Sequence, residues 1–364
     1  MLKDEWLAIG YEKGLIDDVS ENEWVSFSDV YKAWFMMKMN RIKPQSVDRI
    51  EVTYNKYYYG SRLADMPVHT IDESKIIAFL NDTIVRCGNI TEKEYARIYQ
   101  IVNNVMQYGF DTKRGHCYCV NWNSVKQYIA LDNIVTVKKK EMWVGSDDRN
   151  TLASAVLDYN IYNEKRSATL LLLANFYLGM RIGELASLRW SDVNWHERYI
   201  YTHTTQTKYY QRDEFGNRVG PMRYVNQDTT KTPHSVRAVP LCDNALYLLR
   251  QLYEWHKTKG YQSEFLAYDG TDTILSRSLA RTLTRLCKLC EVNTFNSHRI
   301  RKTYSSELHR IGVPLRMISD VMGHADIRTT EENYLISYDD TLQVIRKALE
   351  NGSMMNLRKG AKHG

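Results

Sequence analysis

The chain has 364 residues and a net charge of +6, from 49 basic against 43 acidic side chains. That length exceeds what one core ordinarily fills, so two domains are expected, and the moderate basic excess suits a polyanionic partner without requiring one. No apolar run reaches the ~18 residues of a membrane helix and Met1-Leu2-Lys3-Asp4-Glu5-Trp6 lacks a signal-peptide core, so the expected protein is cytoplasmic, neither membrane-spanning nor exported by that route. Six cysteines are sparse for this length and fit reduced thiols. The clusters His116-Cys117-Tyr118-Cys119 and Cys287-Lys288-Leu289-Cys290 each lack a second pair at zinc spacing, so no metal site is expected.

Residues 1–24 form a short segment of mixed charge. From Ser26, the positions Phe27, Val30, Tyr31, Trp34 and Met37 recur at helical spacing until Pro44 breaks the run. A second helix is expected from Ser46, with Ile50, Tyr54 and Tyr57 or Tyr58 on one face and Arg49, Lys56 and Arg62 beside it. Basic side chains among tyrosines can grip a DNA backbone, and a solvated helix face is the competing reading. Further helices are expected over 72–83 and, from a capping box at Thr91 and Glu94, through Ile98, Ile101, Val105 and Tyr108 to Gly109. Residues 25–135 thus read as an all-helical domain. Periodicity fades over 136–150, the expected linker, where Lys138, Lys139 and Lys140 are either DNA contacts or merely solvated.

From Thr151 the pattern is helical again and reaches Leu170–Leu178, an apolar stretch too short to span a bilayer and therefore a core helix. It runs into Gly179-Met180-Arg181-Ile182-Gly183-Glu184-Leu185. Arg181 opens an amphipathic helix directly after a buried one, a rigid support that suits anion binding. Strands follow over 199–205, 222–231 and 235–241, with turns at Phe215-Gly216-Asn217 and Thr232-Pro233-His234, and Lys231 at the tip of the last hairpin. A helix opening at Asn296 buries Ile300, Tyr304, Leu308 and Ile311, while His298, Arg301 and Ser305 share a neighbouring face.

The next helix, over 314–322, carries an expected apolar stripe of Leu315, Ile318 and Val321, and Gly323 stops it, so His324 lies just past a helix end. Thr329 and Glu332 have capping-box spacing and start a further helix bearing Tyr334. A phenol beside the positive end of a helix loses its proton more easily and sits where phosphate binds, which makes Tyr334 a candidate nucleophile. Leu342, Ile345 and Leu349 stripe a last helix, with 351–364 a tail. The fold class is mainly α with a small antiparallel β-sheet, a helical N-terminal domain preceding an α+β domain over 151–350.

The boxes Gly179–Leu185, Thr230-Lys231-Thr232 with Arg237-Ala238-Val239-Pro240-Leu241, His298-Arg299-Ile300-Arg301, Gly323-His324 and Thr329–Tyr334 resemble, in order and spacing, those of the tyrosine recombinases or phage integrases. The resemblance implies a core-binding domain followed by a catalytic domain. It implies that Tyr334 attacks a scissile phosphate to give a 3′-phosphotyrosyl bond, with presentation in cis the default because Tyr334 follows His324 closely. Arg181, Arg301 and His324 would hold the phosphate oxygens, Lys231 would protonate the leaving 5′-oxygen, and His298 would assist proton transfer. Glu184 would orient the site.

By the same resemblance no cofactor, metal or ATP takes part, and the partners are double-stranded recombination sites, a homo-tetramer on DNA, and an excision or host architectural factor. The long segment over 206–226 is similar to the β-insertion of conjugative-transposon integrases, pointing to a bacterial mobile element; a passive loop insertion is the alternative. The short stretch before Ser26 leaves little room for an arm-binding domain. A resolvase or invertase, a type IB topoisomerase and a non-catalytic DNA-binding regulator stand as competing readings.

Overall fold

The computed structural model describes residues 25–135, 143–228, 236–323 and 338–351, and Lys138, Lys139, Lys140, Lys231, His324 and Tyr334 lie outside them. The chain divides into two units, residues 1–138 with 209–223, and residues 139–208 with 224–364.

In the first unit, the helices are α1 (Phe27–Met39), α2 (Pro44–Tyr57), α3 (Arg62–Asp65), α4 (Glu73–Cys87), α5 (Glu92–Asp111) and α6 (Trp122–Gln127). Ser26 caps α1, and Asp29 returns the bond to complete a capping box. The second helix begins at Pro44, two residues before the expected Ser46, because proline lacks only an N–H that a first turn leaves unpaired anyway. Thr91 caps α5 as expected, but the Glu94 carboxylate accepts instead from Lys56 Nζ at 2.7 Å and from the Tyr57 hydroxyl. Phe27, Val30, Trp34, Tyr58, Ile76, Leu80, Ile98 and Val105 pack into one core, with the Tyr31 and Tyr54 rings stacked 3.5 Å apart.

The second unit is built on α8 (Arg166–Leu178), every residue of which from Ser167 onward is buried. Before it lies α7 (Ser146–Leu157), which occupies the end of the stretch expected to be linker. After it come α9 (Ile182–Ser187), α10 (Asp243–Lys259), α11 (Ser276–Leu289), α12 (Ser297–Arg310), α13 (Leu315–Met322) and α14 (Tyr338–Asn351). Strands β1 (Val193–Asn194), β2 (Tyr199–Thr202) and β5 (Arg237–Pro240) form an antiparallel sheet in the order β1-β2-β5, with Ile200 opposite Val239. Leu342, Ile345 and Leu349 of α14 are buried, and Ile345 and Leu349 join this unit's own core. The stripe of α13 differs from expectation: Leu315 is 64% exposed, and Met317, Ile318, Val321 and Met322 are the buried apolar positions. Among the described residues no helix is long and apolar enough to cross a membrane.

The remaining strands, β3 (Thr204–Arg212) and β4 (Arg218–Asp228), form a hairpin closed by Asp213, whose carboxylate accepts from the amides of Phe215 and Asn217 at 2.9 and 2.8 Å. Its distal part, 209–223, belongs to the helical unit. Arg212 reaches Asp48 at 2.7 Å and Glu51 at 2.5 Å, Arg218 reaches Glu51 at 2.7 Å, and the Tyr210 amide donates to Asp48 at 2.9 Å. The insertion expected within the catalytic domain is therefore shared, its tip packing with α2.

Candidate active site

The core helix α8 ends at Gly179, which has φ +60°, and a Cβ there would lie 2.2 Å from the Tyr304 ring. Only glycine fits both the left-handed backbone and that approach. Asn175 then holds the turn, accepting from the Met180 amide at 2.8 Å and donating to its carbonyl at 3.2 Å. Arg181 follows as the N-cap of α9, as the sequence led one to expect. At Gly183 a Cβ would come within 2.7 Å of the Gln206 carbonyl, so this first turn packs directly on β3.

Glu184 lies at the centre, 2% exposed. Its carboxylate accepts from the Arg181 amide at 2.9 Å, from Arg181 Nη1 at 2.8 Å and from Arg237 Nη2 at 2.8 Å, and Arg301 Nη1 stands 4.0 Å away. Burial pushes the carboxyl upward, but the charge and hydrogen bonds of Arg237, with the amide and charge of Arg181, outweigh it and hold it at about 2. Glu184 is thus a fixed anion that orients guanidinium groups and does not shuttle protons.

Arg301, on α12, is 2% exposed. It donates through Nη1 to the Gly179 carbonyl at 2.7 Å and through Nη2 to the Met322 carbonyl. Burial first, then the neighbouring charge of Arg181, push its guanidinium down to about 9, against the pull of Glu184. The Arg181 side chain is more open, 45% exposed, and its Nη2 donates to the Gly323 carbonyl at 3.1 Å. His298, one turn before Arg301, is exposed, and burial followed by the charges of Lys302, Arg301 and Arg181 lowers its pKa. Two guanidinium forks offer the geometry that bidentate phosphate binding needs.

The structure therefore brings together Arg181, Glu184, His298 and Arg301. Sequence reading passed over Arg237 as a site residue, although it stands in a quoted box. The signal available was an arginine heading an otherwise apolar strand, Arg237-Ala238-Val239-Pro240-Leu241, and in the structure every residue of β5 is buried. In the helical unit, Arg49 and Arg62 are exposed, whereas Lys56 already pairs with Glu94, which weakens its case as a DNA contact.

Residues 143–340 match the family model described as the phage integrase family. A tyrosine recombinase XerC-like protein of Caldanaerobacter subterraneus subsp. tengcongensis is 24% identical over 350 residues, covering 91% of this chain and 83% of that protein. The prophage ps2 probable integrase of Lactococcus lactis subsp. lactis is 24% identical over 317 residues, covering 82% and 76%. Among solved structures, the Tn1549 transposon integrase in complex with transposon right end DNA superposes with a TM-score of 0.60 at 16% identity, covering 88% of this chain and 94% of that one. A lambda integrase tetramer bound to a Holliday junction gives 0.56 at 14% identity, covering 84% and 76%.

Proposed function

This chain belongs to the phage integrase family, and on that premise we propose that it is a site-specific DNA recombinase that integrates and excises a bacterial mobile element. The observation that carries the reading is the convergence of Arg181 and Arg301, from two different helices, beside one buried carboxylate.

The Tyr334 phenolic oxygen attacks the scissile phosphorus, a tyrosine O–P bond forms while the P–O3′ bond is kept, and the P–O5′ bond breaks. The leaving oxygen takes its proton from Lys231. His298 accepts or relays the phenolic proton. Non-bridging oxygens gain negative charge in the five-coordinate transition state, and Arg181, Arg301 and His324 stabilise it with hydrogen bonds. Each ester broken is replaced by another, so the energy for rejoining is retained and a 5′-hydroxyl from a second duplex reverses the step without ATP.

The prophage and Tn1549 relatives support the mobile-element assignment. The lambda integrase assembly supports action as a tetramer on two duplexes, with an excision or host architectural factor as a further partner. Arg49, Arg62 and Lys138–Lys140 are proposed backbone contacts, with Lys56 secondary.

The test uses a nicked suicide duplex carrying the DNA that flanks the gene, in chelator-containing buffer, with the wild-type protein and Tyr334→Phe. Both proteins bind, and only the wild type forms a covalent protein–DNA adduct. Binding without an adduct in either would favour the regulator reading.

A further inference from the structure

Three successive carbonyl groups at the end of α13 each accept a hydrogen bond from a different arginine. Arg237 Nε donates to Val321 at 2.6 Å, Arg301 Nη2 to Met322, and Arg181 Nη2 to Gly323 at 3.1 Å. The last carbonyls of a helix have no partner within it and carry partial negative charge, so a cation is favoured there. Helix capping alone does not call for three guanidiniums drawn from a strand and two helix ends. The same three converge on Glu184, which therefore forms one jaw of a clamp whose other jaw is the α13 terminus.

Arg181 and Arg301 have phosphate to bind. Arg237 is 4% exposed and directs Nη1 and Nη2 at Glu184, at 3.3 and 2.8 Å, with Nε on the Val321 carbonyl. All three of its nitrogens are thus engaged with the protein, on both jaws. Resting on the recombinase reading above, we propose that Arg237 is a positioning residue for DNA cleavage. It ties Glu184, and through it Arg181, to the backbone that enters position 324, and so sets the spacing of the groups that close on one phosphate. The work lies in the bridge, because one planar fork reaches both jaws at once. A lysine keeps the charge but offers a single point contact.

The experiment compares wild type, Arg237→Lys and Arg237→Ala on the nicked suicide duplex, measuring single-turnover adduct formation at saturating protein, DNA affinity and thermal midpoint. Arg237→Lys is expected to keep the wild-type midpoint and bind DNA within about threefold, yet form adduct about 10²-fold more slowly, the order of misplacing the reacting groups by about 1 Å. Arg237→Ala is expected to be slower still and to regain rate when millimolar guanidinium is added, since that ion fits the vacated slot, while methylammonium restores nothing. Should Arg237→Ala not fold, the lysine variant decides alone.

A wild-type rate in Arg237→Lys would overturn the bridge in favour of simple charge balance. A slow rate matched by an equal loss of affinity or of thermal midpoint would reduce Arg237 to a structural residue. The recombinase reading has its own control in the same assay. If the wild type forms no adduct that reading fails, whereas a wild-type adduct beside an unimpaired Arg237→Lys defeats only the positioning role.

Discussion

Two of the arginine–carboxylate networks among the described residues differ in balance. On the helical unit Arg212 and Arg218 meet Asp48 and Glu51, two charges against two, with each carboxylate in contact with at least one guanidinium. In the catalytic unit Arg181, Arg237 and Arg301 share Glu184, three charges against one among the described residues. The consequences run in opposite directions. Burial works against the Arg212 guanidinium, but Glu51 and Asp48 outweigh it and raise its pKa, whereas burial together with the Arg181 charge lowers that of Arg301. A balanced network completes itself and holds structure. One in which guanidiniums outnumber their carboxylate favours an incoming anion, which in the proposed function is the scissile phosphate.

The largest effect should come from breaking the surplus. Arg301→Ala is expected to slow adduct formation by about 10²–10³-fold with most DNA binding retained, while Arg212→Ala leaves the rate on bound DNA near wild type. Single-turnover assays on the suicide duplex separate the two. Equal kinetic losses would erase the distinction between the networks.

Acid should weaken the catalytic unit in two windows. His256 is buried beside Ser167, 3.1 Å from its hydroxyl, and burial lowers its pKa from 6.5 to about 4. The unfolded chain then binds the extra proton first, so this contribution is present above pH 6.5 and is lost as pH falls towards 4. Glu184 falls from 4.5 to about 2, so its contribution is present above 4.5 and lost on going down towards 2. Each is on the order of 3 kcal/mol at most. Thermal unfolding against pH checks this, and His256→Gln should flatten the upper window.

Smaller again, Arg212→Ala should destabilise the helical unit by about 1–3 kcal/mol, because Asp48 and Glu51 lose a partner while partly buried. Denaturant titration reports it, and Asp48→Asn with Glu51→Gln in the same chain should recover part of the loss. The smallest effect is on salt dependence. If Arg49 and Arg62 touch phosphates, replacing either with Gln lowers the slope of log affinity against log salt by about 0.9, whereas Lys56→Gln, already paired with Glu94, changes it less.

Local signals carried much of this into view from sequence. Ser26, Asp72, Thr91 and Asn296 are side-chain caps that set helix starts, and Gly179 and Gly323 end α8 and α13. The pairing of Arg181 with Glu184 is likewise local, three residues along one turn. What escaped depends on distance in the chain. Arg237 meets Glu184 across 53 positions, a contact set by where β5 seats and by nothing in its own neighbourhood. The docking of the hairpin on α2 was hidden in the same way, since α2 was read for its basic residues while Asp48 and Glu51 are the ones that bind. Leu315 was assigned to a buried stripe by spacing alone, yet at the first position of α13 it faces outward and Met317 takes the inner place.

The most direct test removes the charge that the surplus is proposed to meet. A suicide duplex with a neutral methylphosphonate at the scissile position is compared with ordinary phosphate, using wild type and Arg301→Ala. On phosphate the variant should lag by about 10²–10³-fold, and on methylphosphonate the gap should shrink to a small factor, because there is less negative charge left to stabilise. An undiminished gap on the neutral substrate would contradict the account, and would mean that Arg301 serves the architecture of the site and not the charge of the phosphate.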